Sequence, residues 1–194
     1  MKLKQKFYDH GEVDVSNLLA AIPKITEEKW HEWQVRNEPS IPFLFQPNFT
    51  PPFQFNKIQK FKQPEWLEEI VLPLGEQLES KFKSKILKLM LIAVEPEAVN
   101  GFFHVDPANG QRCDNLTLVH RLHMPLIQSD QTRYHVGGEE FAMQVGHWYE
   151  KDNTLIHAVI NYAEPRLRRV TLQCDFIPLD ETRFNLIPEL YPRN

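Results

Sequence analysis

The stretch Arg168-Arg169-Val170-Thr171-Leu172-Gln173-Cys174-Asp175-Phe176 alternates between apolar and polar side chains from its second residue onward. In an extended chain, successive side chains point to opposite faces. Val170, Leu172, Cys174 and Phe176 therefore form one apolar face, and Arg169, Thr171, Gln173 and Asp175 form the other. If the apolar face packs on a layer of helices, Arg169 looks into a cavity. A guanidinium there can hold a carboxylate in a bidentate pair.

Working outward, the same kind of pattern recurs upstream. Strands are predicted over residues 86–95, 101–105, 116–126, 140–149, 156–162 and 168–177, with turn-forming stretches at 107–110, 137–138 and 151–153. Several short strands separated by turns argue for a sandwich or jelly roll rather than a βαβ fold.

The first eighty or so residues read as helical and loop-like. Ser16 is placed to cap a short helix over 17–22, which Pro23 ends, and Thr26 to cap a second one. Trp30 and Trp33 lie three apart, on one helical face. Five prolines within residues 37–54, Pro39 and Pro42 among them, argue against a helix or a central strand. That segment reads as an aromatic-anchored loop, with a lid over a substrate pocket as the alternative. Residues 64–83 form an amphipathic helix with Trp66, Ile70, Val71, Leu74 and Leu78 at helical spacing, and Pro73 is expected to kink or split it. The expected layout is one domain: a helical and loop flank over 1–84, a β core over 85–178 and a tail over 179–194.

The chain has 194 residues, 42% hydrophobic and 25% charged, with a formal charge of −4. It has no basic tract of the kind that tracks nucleic acid, and its most apolar run, 87–94, is too short to cross a bilayer. No nucleic-acid or membrane partner is expected. The two cysteines, Cys113 and Cys174, form no C-x-x-C pair and read as reduced thiols of a cytoplasmic protein.

The chemistry concentrates in Phe103-His104-Val105-Asp106. At strand spacing His104 and Asp106 present an imidazole and a carboxylate to one point, and His157, on a later strand, supplies a second imidazole. Two histidines and one carboxylate hold Fe(II) on one side and leave three positions open. Two of these suit a chelating 2-oxo acid and one suits O₂. In the strand Val119-His120-Arg121-Leu122-His123-Met124-Pro125-Leu126, parity puts His120, Leu122, Met124 and Leu126 on the apolar face, and Arg121 with His123 on the other. His120 then reads as a hydrogen-bonded structural residue, whereas Arg121 and His123 on a pocket wall suit a carboxylate.

These motifs, in this order, resemble the aspartyl/asparaginyl β-hydroxylase-like branch of the 2-oxoglutarate oxygenases. They are His104-Val105-Asp106, Arg121 through Leu126, Gly146-His147-Trp148-Tyr149, His157-Ala158-Val159-Ile160-Asn161, and Arg169 through Asp175-Phe176, spanning roughly residues 100–178. Tyr149 stands where the family has tryptophan. The resemblance implies a mainly β fold with flanking helices: a double-stranded β-helix of the jelly-roll or cupin kind behind an N-terminal helical layer. It implies iron held by His104, Asp106 and His157. It also implies Arg169 on the distal carboxylate of 2-oxoglutarate, Arg121 with His123 on the carboxylate near the metal, and Asn161 behind the ligands. The implied reaction hydroxylates an unactivated carbon of an amino acid or a peptide or protein side chain, with O₂ consumed and succinate and CO₂ released. His147 has no assigned role.

Two other readings compete. A metal cupin enzyme that does not use 2-oxoglutarate needs no inward arginine. A non-catalytic β-sandwich binding module would leave His104 and His157 as ordinary polar residues. His10, His31, His135 and His147 are reserve ligands, His135 in an expected loop. Thr171 and Gln173 suggest a polar substrate.

Overall fold

The computed structural model describes residues 6–35, 38–46, 58–95, 103, 119–152, 155–163 and 167–179. In chain order the elements are β1 (Phe7–Glu12), α1 (Ser16–Ala21), a 3-10 turn (Ile22–Lys24), α2 (Glu27–His31), β2 (Trp33–Val35), β3 (Glu38–Phe45), β4 (Gln59–Lys60), α3 (Glu65–Phe82), β5 (Ser84–Val94), β6 (His120–Ile127), β7 (Thr132–Val136), β8 (Glu139–Phe141), β9 (His147–Lys151), β10 (His157–Asn161) and β11 (Arg169–Pro178). They build two antiparallel sheets. The main sheet runs β1-β9-β6-β11-β5-β3-β2, with β4 beside β3, and the small one runs β10-β7-β8. The architecture is the expected double-stranded β-helix with a helical layer on one side.

β11 lies at the centre, paired with β5 and β6. Register fixes what shares each of its faces. Val170, Leu172, Cys174 and Phe176 stand beside Ala93, Leu91 and Leu89 of β5 and Met124 and Leu122 of β6, and all belong to one buried cluster. Leu67, Val71, Leu74 and Leu78 of α3 close that cluster. Burying each such side chain favours folding by about 1.5–3 kcal/mol. The parity drawn from the sequence places the apolar face correctly. The opposite face carries Arg169, Thr171, Gln173 and Asp175 toward the small sheet. There Phe7 stacks on Phe141 and Tyr149, and Tyr134 and Met143 join Tyr149 in a second buried cluster.

Several expectations need correction. The first eighty residues are not only helix and loop, since β1, β2, β3 and β4 all pair into the main sheet. Pro39 and Pro42 sit inside a strand with neighbours on both sides. Pro42 is tolerated because the ladder to β5 shifts register between Pro42 and Leu44, and the Pro42 carbonyl accepts from the Gln63 side chain at 2.6 Å. α3 runs unbroken through Pro73. Pro73 and Glu69 are both exposed, so water can serve the carbonyl that the proline leaves without an N–H. Trp66 falls on the exposed side of α3, not in the core.

Thr26 caps α2 as expected, accepting from the Lys29 amide at 3.2 Å. Ser16 does not cap α1; Asp14 instead takes the Ser16 amide at 3.0 Å. Trp30 is buried in α2, whereas Trp33 lies in β2 against Phe45 and Phe61. The strand expected over 140–149 is two strands, parted by a turn at Gly146 (φ +82°), where a Cβ would lie 3.3 Å from the Val13 carbonyl. The strand expected over 101–105, Cys113, residues 47–54 of the proline-rich segment and the tail beyond 179 lie outside the described residues. No described helix is long and apolar enough to cross a membrane.

Candidate active site

The gap between the sheets is lined from both sides by polar groups. From the small sheet, the β10–β7 register puts His157, Val159 and Asn161 on one face with Val136, Tyr134 and Thr132. His157 is buried, and its Nδ1 lies 2.8 Å from the Leu155 carbonyl oxygen. A carbonyl only accepts, so Nδ1 carries the proton and Nε2 carries the lone pair. That is the tautomer a metal-ligating histidine needs, held in place by the backbone. His104 and Asp106, its expected co-ligands, lie outside the described residues. At the far end of β10, Asn161 accepts the Ala163 amide at 3.1 Å.

From the main sheet come two charged clusters, at opposite ends of β11. At one end the fully buried Asp175 meets Arg121 of β6 in a bidentate pair, Nε to Oδ1 at 2.7 Å and a second guanidinium nitrogen to Oδ2 at 2.8 Å. Lys88 of β5 lies 3.6 Å from the same carboxylate, and the Gln173 amide donates to it at 3.2 Å. Burial raises the pKa of Asp175, but the two cations and these hydrogen bonds override it, so the carboxyl is held well below the usual range. Arg121 was expected on a carboxylate of the co-substrate. In the structure its guanidinium pairs with the protein's own Asp175. His123, its companion, stands in register between Gln173 of β11 and Tyr149 of β9.

At the other end, Arg169 opens β11 on the same face. Its Nη1 is buried and has no hydrogen-bond partner among the described residues. Tyr134 of β7 is buried beside it, hydrogen-bonded to Thr171 and close enough for the Arg169 charge to act on the phenol. Burial nevertheless keeps the phenol pKa above its ordinary value, so Tyr134 is an O–H donor at neutral pH.

The reserve histidines are each engaged elsewhere. His10 and His120 both bind the Glu150 carboxylate, on the helix side of the main sheet. His120 is therefore a hydrogen-bonded structural residue, as its parity suggests. His147 lies 3.1 Å from Asp9. His135 is in strand β7 rather than a loop, on the face opposite Tyr134, against Phe103, Tyr162 and Glu140. His31 belongs with Glu27 and Glu95, which among the described residues is the one grouping with metal-ligand spacing. Arg168 already bonds both of those carboxylates.

Sequence reasoning missed Lys88, Tyr134 and Glu150. Lys88 carried a signal, as a lone cation interrupting an apolar strand, and Tyr134 sits in the alternation Thr132-Tyr134-Val136. Glu150 offered none.

Comparison with known proteins gives a consistent picture. The model of the aspartyl/asparaginyl β-hydroxylase family matches residues 80–178. By sequence, the chain matches no curated protein. Among solved structures it is similar to an oxidoreductase of the 2OG-Fe(II) oxygenase family from Burkholderia pseudomallei, at 15% identity over 82% of this chain and 77% of that one, with a TM-score of 0.51. It is also similar to a Pseudomonas putida prolyl-4-hydroxylase, at 10% identity over 91% and 95%, TM-score 0.53. A viral collagen prolyl hydroxylase from Paramecium Bursaria Chlorella virus-1 aligns at 11% identity over 91% of each chain, TM-score 0.54. At such identities these likenesses establish the fold.

Proposed function

From the premise that the chain belongs to the aspartyl/asparaginyl β-hydroxylase family, and is thus a dioxygenase of the hydroxylase kind, we propose that it hydroxylates a carbon of an amino acid, free or within a peptide. In this reading Fe(II) is held by His157 with His104 and Asp106, and 2-oxoglutarate is held by Arg169.

Arg169 carries the reading. A buried guanidinium nitrogen with no described partner is costly unless something anionic reaches it. The distal carboxylate of a five-carbon 2-oxo diacid is the right charge and shape for that fork. The donor set also fits a metal, because the Leu155 carbonyl orients His157 with its lone pair on Nε2. When bound, iron and 2-oxoglutarate supply the oxidising power, coupling loss of CO₂ to insertion of one oxygen atom into a C–H bond.

The protein's own residues bind, orient and exclude water. Leu155 fixes the His157 ring. Arg169 anchors the far end of the co-substrate. Tyr134, Met143, Tyr149 and Phe7 pack the neighbouring part of the inter-sheet space tightly. Arg121 is assigned to holding Asp175 and the β5–β11–β6 register, and His123 remains the candidate for the carboxylate near the metal. The buried Cys174 thiol has its pKa raised well above the ordinary value by desolvation, which makes it a packing group rather than a reactive one; placement in the cytoplasm is part of the proposal.

The inward arginine weighs against a metal cupin that makes no use of 2-oxoglutarate, and family membership sets aside the non-catalytic module. The test is anaerobic loading with Fe(II) and 2-oxoglutarate, then admission of oxygen in the presence of single amino acids and short peptides. Succinate formation stimulated by one of them is the expected result. Absence of 2-oxoglutarate binding to the metal-loaded wild type would end the proposal.

A further inference from the structure

From Val170 onward β11 is laddered on both sides, but Arg169 is not. Pairing with β6 begins at Val170, opposite Ile127, and shifts register at the next residue. Among the described residues Arg169 therefore has one ladder partner, Val94, at the last rung shared with β5. A terminal rung with a single neighbour is where a strand frays.

Arg168, the next residue out, reinforces that rung. Alternation turns it to the helix side, where its guanidinium meets two carboxylates from different elements. Nη1 and Nη2 donate to Glu27 of α2, the first at 2.8 Å. Nε and Nη2 donate to Glu95, one residue past β5, at 3.0 and 2.7 Å. Four of the five guanidinium N–H groups are thus engaged, in two bidentate pairs. The guanidinium carbon also lies 6.0 Å from the centre of the buried Trp30 ring. Because Glu95 follows Val94, the Arg168–Glu95 pair extends the β5–β11 ladder by one rung made of side chains. Glu27 ties that rung to the helical layer.

Such a clamp contributes little to folding. The Arg168 and Glu27 side chains are 28% and 65% exposed, and ion pairs this open to water add little to global stability. Its effect on geometry is larger, since a misplacement of about 1 Å at an anchoring group can cost about 100-fold in function.

We propose that Arg168 is a positioning residue. By gripping Glu27 and Glu95 it fixes the first rung of β11, and with it the direction in which the Arg169 side chain enters the gap between the sheets. This inference rests on the assignment of 2-oxoglutarate to Arg169.

The experiment is calorimetric titration of 2-oxoglutarate into the Mn(II)-loaded protein without oxygen. Mn(II) affinity, by electron paramagnetic resonance, and the urea midpoint are measured alongside. The proteins are wild type, Arg168→Ala, Arg168→Lys, Glu27→Gln and Arg169→Ala. Arg168→Ala is expected to weaken 2-oxoglutarate by roughly 10-fold, with Mn(II) affinity and the urea midpoint close to wild type. Arg168→Lys keeps the charge but not the fork, and is expected to recover only part of the loss. Glu27→Gln leaves the Glu95 pair intact. It is expected to weaken 2-oxoglutarate by several-fold, and it decides the matter if Arg168→Ala does not fold.

Wild-type 2-oxoglutarate affinity in Arg168→Ala overturns the proposal. So does a matching loss of Mn(II) affinity or a large fall in the urea midpoint, either of which would make the clamp a structural one. Full recovery in Arg168→Lys also overturns it, because charge alone would then account for the effect. Failure of the underlying assignment looks different: wild type binds no 2-oxoglutarate, or Arg169→Ala binds it as well as wild type does.

Discussion

The polar face of β11 carries an ionic side chain toward each end, fully buried at Asp175 and partly buried at Arg169, and the protein treats the two in opposite ways. At Asp175 the charge is enclosed by Arg121, Lys88 and Gln173, and every one of these groups comes from the three central strands. At Arg169 the charge acts on the Tyr134 phenol of the small sheet, and its Nη1 has no hydrogen-bond partner among the described residues. Both ends place a charge on the inner face of one strand, so position alone does not distinguish structure from function. What distinguishes them is whether the fold completes the pairing.

The sharpest way to break the comparison is Asp175→Ala. It removes the anion and leaves two cations facing each other in the interior, which should cost about 3–5 kcal/mol of stability. Urea denaturation of the purified variant would show it, and a loss under about 1 kcal/mol would mean that the pair is not a structural clamp.

Glu150 tests whether a second enclosed charge behaves in the same way on the helix side of the sheet. Burial pushes its pKa up, but the hydrogen bonds and charges of His10 and His120 outweigh that and bring it down to about 2 from 4.5. A folded-state pKa below the unfolded one stabilises the protein above the unfolded pKa, and that stability is lost as pH falls from about 5 toward 2. A fall from 4.5 to about 2 corresponds to a contribution of about 3 kcal/mol. Denaturation curves across that pH range should show wild type losing stability more steeply than Glu150→Gln.

Arg169→Met should have the smallest effect on folding. Removing a partly buried cation that lacks a full set of partners is expected to change stability by less than about 0.5 kcal/mol, or to raise it. The same variant should lose 2-oxoglutarate binding. A large destabilisation would make Arg169 a structural residue like Arg121 and erase the difference between the two ends.

How much of this was legible depends on the range of the signal. Alternation is local, so the faces of β6 and β11 could be read correctly residue by residue. Register is not local. Parity puts Arg121 and Asp175 on compatible faces, but only the β6–β11 pairing makes them opposite neighbours, 54 positions apart. The Asp175 partner of Arg121 was consequently not legible from the sequence. β3 was missed because two prolines outweighed an otherwise strand-like segment, and a register shift with a side-chain acceptor bond resolves that conflict. β7 was missed because five residues between turns give too short an alternation to stand out. The helix over 64–83 was legible because eighteen residues repeat one pattern, and a single proline does not erase it.

Strand β1 closes one edge of the main sheet by pairing with β9, and His10 reaches Glu150 across 140 positions of sequence. During synthesis at about 5–20 residues per second, the first strand must wait on the order of ten seconds before its neighbour exists. Throughout that interval a strand-forming segment has no native ladder to join, and it is open to capture by other nascent chains. Asp9, His10 and Glu12, which follow Phe7 and Tyr8 in the strand, help to keep such a waiting strand soluble.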